Sequence, residues 1–200
     1  MAATYADARR DRRLDPAAAL ARFRLAKDEL FARHPQTPIA PTNRGAFRGL
    51  DYWPYDPALQ FDVRVRPIST SDAVAPVAAS DIVATGGDVM QLRPVGVVEL
   101  PFGALTVYWI DVYGGGIFVP FRDLTCGIAS YGGGRYLLDT VKGADLGGDD
   151  DHLVIDFNYA YHPSCSYDAR WSCPLAPPAN TLPVAIEAGE RMLSVVASNG

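Results

Sequence analysis

Arginine, carboxylate, amide and phenol groups recur at the ends of the apolar runs in the second half of the chain, where a β core favours hydrocarbon. Arg122 and Asp123 follow the run 117–121, and Tyr131 and a glycine triplet lead into Arg135 and Tyr136. Asp156, Asn158 and Tyr161 lie at or just beyond the end of the run 152–157. The arginine fork is planar and suits the paired oxygens of a carboxylate or phosphate. A carboxyl or phenol held nearby can move a proton. If these strand ends meet at one mouth of a sheet, Arg122, Tyr131, Arg135 and Asn158 would bind a small molecule. Asp156 or Tyr161 would then serve as a catalytic proton-transfer group. The competing reading is an internal arginine–aspartate pair with the asparagine side chain bonded to loop backbone.

Cys165 follows His162 by three residues, the one local cysteine–histidine proximity, and is a candidate catalytic nucleophile. Pro163 and Pro174 flank the region, as expected for a loop cysteine with a structural role. No G-x-S-x-G elbow occurs. Metal chemistry has little to work with. The histidines are His34, His152 and His162, no C-x-x-C pair exists, and Asp149-Asp150-Asp151 lacks the spacing of a calcium loop. Glycine-rich turns offer no phosphate cradle either. A dinucleotide fingerprint would need glycine at Leu137 or Val119, and no G-K-[ST] is present. Neither a metal nor an organic cofactor is expected.

The elements that must position these groups are short. Asp15-Pro16 marks a helix start, because aspartate accepts from an early backbone N–H and proline at the first helical position loses nothing. Leu20, Phe23, Ala26, Leu30 and Phe31 recur near helical spacing, and His34-Pro35 ends the helix, giving a predicted span of 16–33. Residues 1–14 read as a frayed, expendable tail. The aromatic-rich stretch 35–57 reads as an ordered loop. Phe61, Val63 and Val65 alternate with charged residues as in a half-buried strand. The stretch 69–88 reads as loop or weak strands. The runs 95–100, 105–113 and 117–121, separated by glycine turns, predict a meander whose middle member is central. Further strands are predicted over 136–141, 152–157, 182–186 and 192–196. Residues 15–200 thus form a single domain, mainly β, an antiparallel sandwich or barrel with an N-terminal helix.

Two hundred residues, 48% apolar and 20% charged, make an ordinary globular composition. The net charge of −5 argues against a nucleic-acid partner, since that affinity rests on cations neutralising phosphates. No apolar stretch reaches membrane-span length, and residues 1–14 lack the apolar centre of a signal peptide. A cytoplasmic location is expected, with Cys126, Cys165 and Cys173 reduced, although the short 165–173 separation would permit a bridge.

Long motifs carry a resemblance. The stretch Phe118-Val119-Pro120-Phe121-Arg122-Asp123 is followed by Tyr131-Gly132-Gly133-Gly134-Arg135-Tyr136-Leu137. Asp156-Phe157-Asn158-x-Ala160-Tyr161, then Cys165 through Cys173-Pro174-Leu175, then Leu182-Pro183-Val184-Ala185-Ile186-x-Ala188-Gly189-Glu190 complete the set. With these the sequence resembles domain-of-unknown-function family 1684, from Pro16 to Glu190. The resemblance implies a shared fold and draws attention to the same polar segments, and it carries no reaction or cofactor. Cys126 and His162 stand where the family usually has a small residue and asparagine, so a Cys–His mechanism would not be a family trait. The leading expectation is a non-redox enzyme, performing hydrolysis, elimination or cyclisation on a carboxylate- or carbonyl-bearing metabolite. The alternative is a non-catalytic small-molecule-binding or assembly module, and a homo-oligomer is compatible with either.

Overall fold

The computed structural model describes residues 1–68, 80–112, 114–149 and 151–192. Helices α1 (Ala2–Asp11) and α2 (Pro16–Arg33) precede seven strands: β1 (Gln60–Pro67), β2 (Ser80–Val83), β3 (Val89–Leu100), β4 (Gly103–Ile110), β5 (Gly116–Phe121), β6 (Arg135–Asp139) and β7 (His152–Asp156). All strand pairings are antiparallel, in the order β6-β5-β4-β3-β1-β7, and the sheet curls into a half-barrel. β3 is long enough to pair twice along one edge: its first half takes β2 at Ser80↔Leu92, and its second half takes β1 at Val65↔Val98. Its register with β4 shifts between Pro94 and Gly96, where proline supplies no N–H for the ladder.

The fold is mainly β and antiparallel with α2 ahead of the sheet, as the hydrophobic periods predict. β3 to β5 form the expected meander, β6 continues it, and β4 is central and largely buried. The core between the curled strands holds Val98, Leu105, Val107, Val119, Phe121, Ile155, Phe157 and Leu182.

The α2 boundaries follow the predicted signals. Asp15 Oδ1 accepts from Ala18 N at 3.0 Å, Pro16 occupies the first turn, and His34 is extended at φ −68°, ψ 133°. The buried stripe departs from the expected one: Ala19, Leu20, Phe23, Lys27 and Phe31 are buried, Leu30 is half-buried and Ala26 is exposed.

Two further expectations are corrected. Residues 1–14 are not a frayed tail, because α1 packs against α2. Tyr5 is fully buried, with its ring 4.8 Å from that of Phe23, and Phe23 lies 4.8 Å from Tyr159 just after β7. Arg9 at the C-terminal end of α1 ion-pairs with Asp145 at 2.5 Å. The stretch 182–186 is not a strand. Pro183 has no N–H, and Ile186 N donates to the Asp123 carboxylate at 2.7 Å instead of to a neighbouring strand. The strand expected over 192–196 lies, beyond Met192, outside the described residues, as do residues 69–79 of the expected loop and Tyr113 at the end of the run 105–113.

Tyr5 therefore joins the helical layer to the sheet. Tyr5→Ala should cost roughly 3–5 kcal/mol, the range for emptying a large buried aromatic site. Urea unfolding monitored by tryptophan fluorescence measures this, and an unchanged midpoint would show that α1 is not docked in solution.

Candidate functional site

The residues expected at one mouth of the sheet occupy several separate places. Arg135 opens β6 and is completely buried. Gly134, at φ +93°, brings the chain so close to β5 that a Cβ there would meet Phe121 O at 2.5 Å, which seats Arg135 inside. Its guanidinium donates to the backbone carbonyls of Ile186 (2.8 Å), Ala188 (2.5 Å) and Glu190 (3.2 Å), and to Asp123 Oδ2 at 3.3 Å. The Trp53 and Phe121 rings lie 4.9 and 5.0 Å from its central carbon. Burial pulls its pKa down and Asp123 opposes that shift. Asp123 in turn accepts from Thr125 Oγ1 at 2.8 Å.

Arg135 thus pairs with Asp123, and Asp156 belongs to a different network. Asp156 Oδ1 accepts from the backbone N and side-chain Nδ2 of Asn158, at 3.0 and 2.9 Å, and caps the 3-10 turn Phe157–Tyr159. Burial raises its pKa, and these hydrogen bonds work against the rise. Asn158 also holds Asp56, accepting from its N and donating to its O, both at 2.8 Å. Arg122 is half-buried just after β5, its stem beside Gly134, and its backbone holds Asn180 and Leu182. Tyr131 faces Cys165, with its hydroxyl 3.7 Å from Sγ.

Tyr161 is the expected site residue that lines a cavity. It pairs with Tyr136 along the free edge of β6, exchanging backbone hydrogen bonds of 2.9 and 3.1 Å. Between that edge and the helices is a space of about 210 Å³, walled by Tyr5, Lys27, Phe31, Tyr136, Tyr161 and His162. The Tyr5 and Tyr161 hydroxyls are buried and have no hydrogen-bond partner among the described residues. Burial first, and nearby carboxylates second, push both phenols well above the usual tyrosine pKa, so they remain protonated donors.

Sequence reasoning missed the charged centre behind this cavity. Lys27 and Glu190, 3% and 1% exposed, form an ion pair. Glu190 Oε2 also accepts from His162 N at 2.8 Å and from the Tyr167 hydroxyl at 2.6 Å. Burial alone would raise the Glu190 pKa, but the positive charge of Lys27 and the hydrogen bonds it receives hold it below the usual value. Gly189 makes this placement possible: at φ +76°, a Cβ there would meet Ala160 O at 2.5 Å. The Lys27 ammonium also sits 4.7 Å from the Tyr161 ring and 5.5 Å from that of Phe31. His162 Nε2 accepts from Tyr131 N at 3.2 Å, which places the imidazole proton on Nδ1, 3.9 Å from Glu190. Burial depresses its pKa to about 4.

Elsewhere, Asp149, Asp151 and His152 bring possible metal-ligand atoms within 4.8 Å of one another. This group is at the surface and shaped by its own turn, since Asp149 Oδ1 accepts from His152 N at 3.0 Å. Among the described residues no helix is long and apolar enough to cross a membrane.

Two outcomes follow. The pairing assigns the coupling of Arg135 to Asp123, so Arg135→Ala alone should cost roughly 3–5 kcal/mol. A double-mutant cycle by chemical denaturation should give a coupling energy with Asp123→Ala and near-additivity with Asp156→Ala. The reverse pattern would refute the assignment. His162 is harder to protonate in the fold than in the unfolded chain, whose histidine titrates near 6.5. Its contribution is therefore full above pH ~6.5 and declines as pH falls toward 4, by on the order of 2–3 kcal/mol. His162→Asn should flatten the stability profile in that window, and an unaltered slope would place the titration elsewhere.

The comparisons with known proteins give a family and name no activity. The solution NMR structure of an uncharacterized protein from Haloarcula marismortui is similar, at 34% sequence identity and a TM-score of 0.57, over 88% of this chain and 93% of that one. No curated protein matches. Residues 45–191, which carry β1 to β7, Arg135, Tyr161 and Glu190, match the family model described as protein of unknown function (DUF1684), and the chain belongs to that family.

Proposed function

We propose that this chain binds a small carboxylate- or carbonyl-bearing metabolite in the cavity between the helices and β6. The observation that carries the reading is the pair of buried phenol hydroxyls, Tyr5 and Tyr161, without partners in the wall of that cavity. A buried donor left unmade costs about 1–3 kcal/mol, so two of them on residues that line one cavity favour a ligand that supplies acceptors once the ring positions adjust. A carboxylate or carbonyl oxygen does so. Lys27 lies at the same wall, with one contact to Glu190 and two further N–H groups. The volume is below the ~300–1,000 Å³ of drug-sized sites, which favours a short metabolite.

Binding leads over turnover because the buried carboxylates are engaged. Glu190 uses both oxygens, Asp123 serves Arg135, and Asp156 serves Asn158. The second reading, a non-redox reaction on the same ligand class, is favoured by Tyr161 itself. A protonated phenol beside an ammonium can deliver a proton to a carbonyl oxygen. Arg122, Tyr131, Arg135, Asn158, Asp156 and Cys165 lie outside the residues that wall this cavity.

Thermal-shift titration with short mono- and dicarboxylates and 2-oxo acids tests both readings. At least one should raise the melting temperature of the wild type, and Tyr161→Phe should fold normally yet bind it roughly tenfold more weakly. Product formation from a stabilising compound would select the enzyme reading. Equal binding by Tyr161→Phe, or no stabilisation by any of them, would count against the cavity.

A further inference from the structure

Cys165 and Cys173 are brought together on the side of the 161–175 loop away from the cavity walls. Cys165 begins beside Pro163, in the short turn Ser164–Ser166, and is partly exposed, whereas Cys173 is buried. Cys173 Sγ lies 3.4 Å from Cys165 N, within reach of the Cys165 side chain, which leaves from the adjacent Cα. The backbone of Cys173 is fixed on both sides by Thr85: Thr85 N donates to Cys173 O at 3.1 Å, and Cys173 N donates to Thr85 Oγ1 at 3.1 Å. On the other side of Cys165 stands Tyr131, its hydroxyl 3.7 Å from Sγ. Two cysteines eight apart, one accessible and one enclosed, meet beside hydroxyl donors.

We infer that Cys165 and Cys173 form a thiol–disulfide exchange site, with Cys165 as the attacking sulfur and Cys173 as the resolving one, acting on a low-molecular-weight disulfide. The Cys165 thiolate displaces one thiolate from the incoming disulfide and becomes a mixed disulfide. The departing thiolate takes a proton from the Cys173 thiol. Cys173 sulfur then attacks Cys165 sulfur, and the second small thiol leaves and is protonated. Two protein thiols lose two electrons and two protons in all, and one small disulfide becomes two thiols.

The surroundings favour this order. Hydrogen bonds from the Cys173 thiol, Thr85 and Tyr131 outweigh burial and lower the Cys165 pKa to about 6, so it is ionised near neutrality. Donating that bond, together with burial, raises Cys173, which stays a thiol while Cys165 carries the charge. When Cys165 enters a mixed disulfide its charge disappears, and Cys173 is released to ionise. The titratable and charged groups facing the pair are Tyr131, itself raised to about 12 by burial and by Cys165, Tyr136, raised by burial and by both cysteines, and Lys142 toward Cys173.

The test treats the reduced full-length protein with glutathione disulfide and follows intact mass and mapped peptides. The expected product is two hydrogens lighter and bridged between Cys165 and Cys173. Cys126, whose sulfur lies 3.5 Å from Asp123 Oδ1, remains a free thiol as the internal control. Cys173→Ser should accumulate a glutathione adduct on Cys165, and Cys165→Ser should form neither adduct nor bridge. Iodoacetamide should alkylate wild-type Cys165 about tenfold faster than Cys126 at pH 7, with a rate midpoint near pH 6. Preferential reaction of Cys126, a stable adduct on wild-type Cys165 that never resolves, or absence of the 165–173 bridge would overturn the inference.

Discussion

Glu190 is a carboxylate almost without contact with water, and such a group can remain charged only where its oxygens are compensated. Lys27 reaches it from α2, His162 N from the loop after β7, and the Tyr167 hydroxyl from the following turn. Two stretches far apart in the chain, α2 and the loop 162–167, are thereby tied to one carboxylate. Their arrangement sets the cavity: Lys27, Tyr161 and His162 wall it because each is held near Glu190. Without the carboxylate, the Lys27 ammonium would be left buried and unpaired, a cost well above that of an exposed ion pair.

Arg135 performs a related task on the other side of the same residue. Its guanidinium takes the carbonyls of Ile186, Ala188 and Glu190, which have no place in a strand ladder. A side chain thus replaces the missing neighbour strand for an irregular segment. Lysine could not substitute, since its ammonium lacks the planar fork that meets several oxygens at once. The two ion pairs are chained through the Glu190 backbone and side chain, so Asp123, Arg135, Glu190 and Lys27 form one connected system.

The sheet was legible because hydrophobic period and glycine turns are local signals: the meander from β3 to β5 follows the runs at 95–100, 105–113 and 117–121. The α2 start was equally legible, since an N-cap aspartate and a first-turn proline act within four residues. Helix α1 was missed because only Tyr5 and Ala8 are buried in it, too few to make a stripe against four charged neighbours. For the site, Tyr161 was named from its position, but its surroundings were not. Lys27 did carry a signal, at four residues from both Phe23 and Phe31 on the apolar face, where a lysine needs a buried partner. Its partner, 163 residues away, carried none. Asp123, not Asp156, receives Arg135 because β5 and β6 are neighbours while β7 sits at the opposite end of the strand order. Pairing between distant strands does not show in residue spacing.

The carbonyl grip of Arg135 bears on how the chain is made. Its partners lie 51 to 55 residues further along, so they leave the ribosome well after β6 has emerged. Until then only Asp123 and Thr125 can meet the guanidinium, and burying it with its remaining N–H groups unmade is too costly. The β5–β6 hairpin of a nascent chain must therefore stay open at that end. Closure of the core around Arg135 waits for the segment 186–190.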